Sequence, residues 1–142
     1  MKIEVLNQQR KKRLKINKIK KCINRILKIL DISSKKISFV FCDNEFIKKI
    51  NRKYFKKNST TDVISFPLND IYQKDYLGEV IISVEKAFLE AKNYNHTFEE
   101  ELLYYIIHGI LHILGYRDYK VKERKIMVKK QNEIFDKIKK FL

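Results

Sequence analysis

The chain has 142 residues, 44% of them hydrophobic, which fits one domain able to bury a core without disulfide or metal staples. Its 32 Lys+Arg against 17 Asp+Glu leave a formal charge of +15, which raises the local concentration of polyanions and favours a nucleic-acid partner over an acidic small molecule. Two cysteines, Cys22 and Cys42, no apolar run in the opening MKIEVLNQQR and no stretch of about 18 apolar residues point away from disulfide scaffolds, secretory signals and membrane spans, so buried thiols and a cytoplasmic location are expected.

In chain order, KIEVL alternates and reads as an edge strand. From Gln8 to about Asp31, Ile16, Ile19, Ile23, Ile26, Leu27 and Leu30 fall at helical spacing, with Lys11, Lys12, Lys15, Lys18 and Lys28 opposite. Lys far outnumbers Arg and Ile and Asn are frequent, so roughly half of the positive excess is assigned to compositional bias. KISFVFC (36–42) reads as a strand, and DNEFIKKINRKYF (43–55) as a helix capped by Asp43. TDVISFP (61–67) reads as a strand stopped by the single proline, Pro67, and GEVIIS (78–83) as another.

SVEKAFLEAKNYN (83–95) is amphipathic and helical. Thr97 with Glu100 three residues later forms a capping-box pattern, opening a helix that runs to Leu114. Gly115 suits the left-handed position beyond its end. The segment LLYYIIHGILHIL is apolar on nearly every side and should be the central buried helix. A last helix covers about 120–142, with Val121, Val128, Phe135 and Leu142 recurring every seven and Met127, Ile134 and Ile138 beside them. The expected fold is a single α+β domain over 1–142: a small mixed sheet of about four strands with about five helices.

HGILHILGYRD (108–118) carries the chemistry. His108 and His112 stand four apart, so a helix aims both imidazoles at one point. Gly115 lets the chain turn back, and Asp118 can present a carboxylate as a third ligand. Two His and one carboxylate, with water in a fourth place, form a catalytic zinc arrangement whose water is acidified toward neutrality. Such a site also suits Fe(II). Two buried histidines satisfied by ordinary hydrogen bonds are the competing explanation. The wider spacing H-x-x-x-H-x-x-G-x-x-D follows the metzincin pattern and favours the metal. Gly109 occupies the place of a peptidase's catalytic Glu, which argues against peptide hydrolysis. A glycine inside a helix costs about 1 kcal/mol relative to Ala, so something needs the space, the substrate or a packed strand.

These residues resemble the YbeY family of bacterial endoribonucleases and rRNA maturation factors. The run from His108 to Asp118 is similar to its H-G-x-L-H-L-x-G-Y-D-H signature, in which Gly109 is the family's own residue. INRKYFKKNSTTDVISFP resembles a second signature at Asn51, Tyr54 and Thr61 to Pro67, and LGEVIIS and HTFEEEL resemble two more. The resemblance covers about residues 37–119. It implies a zinc-dependent hydrolase acting on single-stranded RNA, in small-subunit rRNA 3′-end maturation and ribosome quality control with that subunit and its assembly factors. His108, His112 and Asp118 fall on the three ligand positions. Departures from the two signatures include Phe55 for an Arg, Asn58 for an Asp, Thr60 for a Pro, and Asp118 for the final His.

Lys53, Lys56, Lys57 and Arg117 are candidate phosphate contacts, against the alternative of a solvated face on a Lys-rich chain. Tyr116 and Phe66 are candidates to stack bases or to join the core. Thr61, Asp62 and Ser65 can line the cleft, with Asp62 orienting water or capping a turn. His96 reads as structural, and Glu101 as a support to the site or a partner of a Lys. Two alternatives to the ribonuclease remain: a non-catalytic ribosome-assembly factor with a structural metal, and a metallopeptidase.

Overall fold

Segments rich in Ile, Val and Phe pair into one sheet, because β-branched and aromatic side chains suit a pleated surface covered by helices. The computed structural model describes residues 2–57, 61–68, 72 and 74–142. Among them four strands, β1 (Ile3–Asn7), β2 (Lys36–Cys42), β3 (Val63–Pro67) and β4 (Tyr76–Ser83), form a sheet in the order β1-β2-β4-β3. β1 and β4 flank β2 in parallel, and β3 is antiparallel to β4. The sheet is mixed and the fold α+β, as expected. β2 is buried at every position after Lys36, the mark of an inner strand covered on both faces.

Five α-helices accompany it: α1 (Ile16–Ile29), α2 (Asn44–Phe55), α3 (Val84–Glu90), α4 (Phe98–Ile113) and α5 (Val121–Ile138). The main core joins α1, α3, α4 and α5 to one face of the sheet through Phe39, Phe41, Val80 and Ile82. The opposite face forms a smaller cluster, Val40, Cys42, Ile64 and Ile81, with Ile47 of α2. This division follows from strand alternation: Phe39 and Phe41 point one way, Val40 and Cys42 the other.

Caps and turns fix the boundaries. Asp43 accepts from the Phe46 N–H at 2.8 Å and starts α2, as its position in the sequence implies. α1 begins at Ile16 rather than Gln8. The Gln9 side chain ties off a turn there, accepting from the Lys12 N–H at 2.9 Å and donating to the Lys12 carbonyl at 2.8 Å. Arg10 to Arg13 offer no apolar side chain to bury, and tertiary packing supplies most helix stability. Residues 83–95 divide into α3, capped by Ser83, and a 3₁₀ turn at Ala91–Tyr94 that ends on Asn95 at φ 56°. In α5 the seven-residue stripe is buried only toward its end: Val121 and Val128 are exposed, whereas Phe135 joins Met127, Gln131, Ile134 and Ile138 in facing the core.

Both thiols are buried, and burial raises the pKa of each, that of Cys42 to about 12. A protonated buried thiol is a poor nucleophile. The native protein is expected to leave both cysteines unmodified by a thiol-specific chromogenic disulfide, with both reacting in denaturant. Rapid modification of either in the native state would contradict this packing.

Candidate metal centre

α4 is built to hold its two histidines still. The capping box closes its start, with Thr97 Oγ1 accepting from the Glu100 N–H at 3.1 Å and Glu100 Oε1 from the Thr97 N–H at 2.8 Å. Glu99, Glu100 and Glu101 lie at the positive end of the helix dipole. Ten of its residues are buried, as the all-round apolar pattern implies. Its far end is a Schellman turn: the Tyr116 N–H donates to the Leu111 carbonyl at 3.0 Å and the Gly115 N–H to that of His112 at 3.1 Å. Gly115 takes φ +99°, where an L side chain is strained.

Gly109 resolves the earlier choice between substrate and strand in favour of the strand. A Cβ there would lie 2.4 Å from Val80 Cγ1 and 3.1 Å from Val63 Cγ1. The missing side chain lets α4 press onto β3 and β4, and Ser65 Oγ fastens the contact by donating to the Gly109 carbonyl at 2.9 Å. The helix turns the adjoining, half-buried side, with His108 and His112, toward the clefts.

Three donor atoms converge there. His108 Nε2 and His112 Nε2 are 3.0 Å apart. Asp118 Oδ2 lies 3.4 Å from His112 Nε2 and 3.9 Å from His108 Nε2. The second nitrogen of each ring identifies the tautomer. His112 Nδ1 faces the Tyr116 carbonyl at 3.1 Å, an acceptor only. His108 Nδ1 faces Gln131 Oε1 at 3.2 Å, and Gln131 Nε2 donates to the Tyr104 carbonyl at 3.2 Å, which fixes the amide's orientation. Both Nδ1 atoms therefore carry the proton, and both Nε2 atoms present bare lone pairs to one another and to a carboxylate.

Such an arrangement repels itself unless a cation lies at its centre. Two donors on a tetrahedral zinc ion are about 3.3 Å apart, the middle of the observed separations. The donor set thus fits a divalent ion bound by two imidazoles and a carboxylate. Burial first, and His108 next, hold His112 below the usual imidazole pKa, so its ring is neutral and available at pH 7. Arg124 Nε donates to the Asp118 carbonyl at 3.3 Å and helps to steady the loop.

Two clefts meet at this group, and Asp118 lines both. One, of about 840 Å³, opens beside His108, and the other, of about 650 Å³, beside His112. Lys57 and Arg117 line the His112-side cleft with Thr61, Ser65 and Tyr116. Lys53 and Lys56 are not among its lining residues: Lys53 lies 5.4 Å from the Tyr54 ring, and Lys56 ends α2 at φ 55°. Phe66 is covered by Tyr54 and Phe55, at ring distances of 5.2 and 5.9 Å, and Tyr116 packs partly against the core. Phe55 and the exposed Tyr119 are the aromatic rings that line this cleft in the open. Asn58 and Thr60 lie outside the described residues.

Asp62 lines the His108-side cleft and also caps its own turn, accepting from the Val63 N–H at 2.8 Å. His96 is a structural partner of the buried Glu101, with Nδ1 2.7 Å from Oε1, so Glu101 is paired with a histidine and not a lysine. Gln131 is the residue sequence reading missed. A buried amide amid the apolar face of α5 was its only signal. Outer-sphere hydrogen bonds of this kind are worth about 10–100-fold in metal affinity. Gln131→Leu, close in volume and silent as an acceptor, is expected to weaken zinc binding by about that factor in a competitive chelator titration. Unchanged affinity would contradict the tautomer argument.

Fold and donor set together define a class: α+β domains with a His–His–Asp group at the end of a central buried helix. The chain belongs to one family within it, the YbeY family, whose model, described as Endoribonuclease YbeY, matches residues 4–139. Endoribonuclease YbeY of Syntrophus aciditrophicus is 38% identical over 141 residues, covering 95% of this chain and 88% of the relative. That of Thermodesulfovibrio yellowstonii is 38% identical over 155 residues, covering 96% of this chain and 97% of the relative. The solution structure of TM1509 from Thermotoga maritima superposes with a TM-score of 0.68 at 30% identity, covering 96% of this chain and 88% of that one. Among the described residues no helix is long and apolar enough to cross a membrane.

Proposed function

We propose that this protein is a zinc-dependent endoribonuclease that cuts single-stranded RNA, and that it serves small-subunit rRNA 3′-end maturation and quality control in the cytoplasm, with the small subunit and its assembly factors as partners. The observation that carries the metal is the convergence of two imidazole Nε2 atoms, 3.0 Å apart, beside a carboxylate oxygen 3.4 Å from one of them. Family membership and a basic chain carry the RNA. His108, His112 and Asp118 would hold the ion, leaving a position for water or substrate. A divalent ion in such a site supplies Lewis acidity, lowering the pKa of coordinated water and offsetting charge on phosphoryl oxygens.

The chain's own residues do the rest. Gln131 and the Tyr116 carbonyl keep both imidazoles in the ligating tautomer. Lys57 and Arg117 supply positive charge along the His112-side cleft, where a phosphate chain would run. Neutralising one phosphate per cation adds about −0.7 to the slope of log affinity against log salt for a single strand. Lys57→Ala is therefore expected to flatten the salt dependence of KM by about 0.7 while changing kcat little. An unchanged slope would remove Lys57 from the RNA path.

Two observations weigh against the alternatives. A peptidase's glutamate has no room at position 109, which faces Val80 and Val63. A structural metal wants a fourth protein ligand, and among the described residues three are grouped. The test is a labelled RNA strand offered alone or within a duplex, and casein offered in parallel. Cleavage of the free strand, spared duplex and loss of activity with chelator are the expected results. Digested casein with intact RNA would overturn the assignment.

A further inference from the structure

The two clefts that meet at Asp118 differ in chemistry. The His112-side cleft is lined by two cations and a single carboxylate. The His108-side cleft is lined by five carboxylates and three cations, an acidic surface on a chain of net charge +15. Lys86 pairs with Glu90 and Lys139 with Asp136 at its rim, at 3.8 and 3.5 Å, which leaves Asp62, Glu101 and Asp118 against Arg124. A phosphate chain is repelled from such a wall. Its other component is aromatic. Tyr104 packs edge-on to Phe135 at 5.4 Å, His96 lies 5.1 Å from Phe135, and Tyr94 beyond it is 62% exposed. Asn132 Oδ1 accepts from the Tyr104 hydroxyl at 3.0 Å, which leaves its Nδ2 amide as a donor toward a ligand.

We infer that the His108-side cleft is a nucleobase site, which takes the base on one side of the bond to be cut while the phosphate chain lies in the His112-side cleft. The inference rests on the ribonuclease reading and adds to it a polarity and a base preference. Tyr94 offers a stacking face and Asn132 a donor to a ring nitrogen or carbonyl. Carboxylates such as Asp62 accept from an exocyclic amino group and repel a carbonyl at the same place. Adenine, cytosine and guanine each carry such an amino group, whereas uracil carries only carbonyls outside its ring, so the site discriminates against uracil.

Neutral nucleosides separate base recognition from phosphate and metal. Adenosine, cytidine and uridine are titrated into the full chain without added metal, and the Asn132 side-chain amide, assigned by its loss in Asn132→Asp, is followed by NMR. Adenosine and cytidine are expected to shift that signal at severalfold lower concentration than uridine. Tyr94→Ala, at an exposed position, is expected to weaken them about tenfold. No shift with any nucleoside, or equal shifts with all three, overturns the site. The second arm uses zinc-loaded protein and oligouridylate carrying one internal cytidine. Cleavage concentrated at one linkage beside that cytidine supports the site. An even ladder that disappears in His112→Ala overturns the base site and leaves the ribonuclease standing. Intact RNA throughout overturns the ribonuclease, while the nucleoside titration still decides the site.

Discussion

His112→Ala is expected to fold, to bind no stoichiometric zinc at micromolar metal, and to lose RNA cleavage by at least roughly a thousandfold, which corresponds to about 4 kcal/mol of transition-state stabilisation. The fold should survive because His112 is half-buried on the cleft side of α4 and makes no core contact that an alanine would leave as a large void. Alanine is also the better helix former. The site should not survive, because removing one of three donors leaves only His108 Nε2 and Asp118 Oδ2, 3.9 Å apart, to hold the ion. His108→Ala should match it in metal loss and additionally leave Gln131 Oε1 without its imidazole partner, while Gln131 Nε2 keeps the Tyr104 carbonyl. Asp118→Asn should be milder, since an amide oxygen remains while the charge that favours a cation is gone. Elemental analysis with a circular dichroism melt separates metal loss from unfolding. A folded, zinc-free His112→Ala with full activity would contradict the account.

Gly109→Glu is expected to give an unfolded or insoluble chain rather than a peptidase. The new side chain would start 2.4 Å from Val80 Cγ1 and carry a charge into the contact between α4 and the sheet. An unpaired buried charge together with overpacking exceeds about 4 kcal/mol, a large part of a domain's usual 5–15 kcal/mol. Gly109→Ala makes the same point at lower amplitude. Helix propensity favours Ala by about 1 kcal/mol, but overpacking costs about 1–3 kcal/mol, and valine is stiff at χ1. The net loss should lower Tm by a few degrees at this chain length. Val80→Ala makes room, so the two substitutions should be less harmful together than their separate effects imply. A Gly109→Ala protein that melts at or above the unsubstituted temperature would show that α4 does not need that approach.

What could be read from the sequence follows from what is local. The histidine pair, the glycine after it and the returning aspartate lie within eleven residues: helix geometry carries the pair to a common point, and the turn at Gly115 returns the aspartate to it. The capping box at Thr97 and the cap at Asp43 are equally local, and both appear as read. The purpose of Gly109 could not be read, because Val63 and Val80 reach it only through strand pairing. Gln131 was hidden for the same reason: its partners, His108 and the Tyr104 carbonyl, belong to another helix. The start of α1 has no side-chain cap, so periodicity ran back into Lys and Arg residues that a turn at Gln9 claims instead. The basic run before β3 sorted itself only in three dimensions, with Lys57 lining the cleft while Lys53 lies near the Tyr54 ring.

The central claim is tested most directly by diffraction at the zinc absorption edge from crystals of zinc-loaded protein. One anomalous peak is expected, within about 2.1 Å of both Nε2 atoms and about 2.2 Å of an Asp118 oxygen. Crystals grown with zinc in excess that show both imidazoles closed on protein hydrogen bonds, with no peak between them, would contradict it.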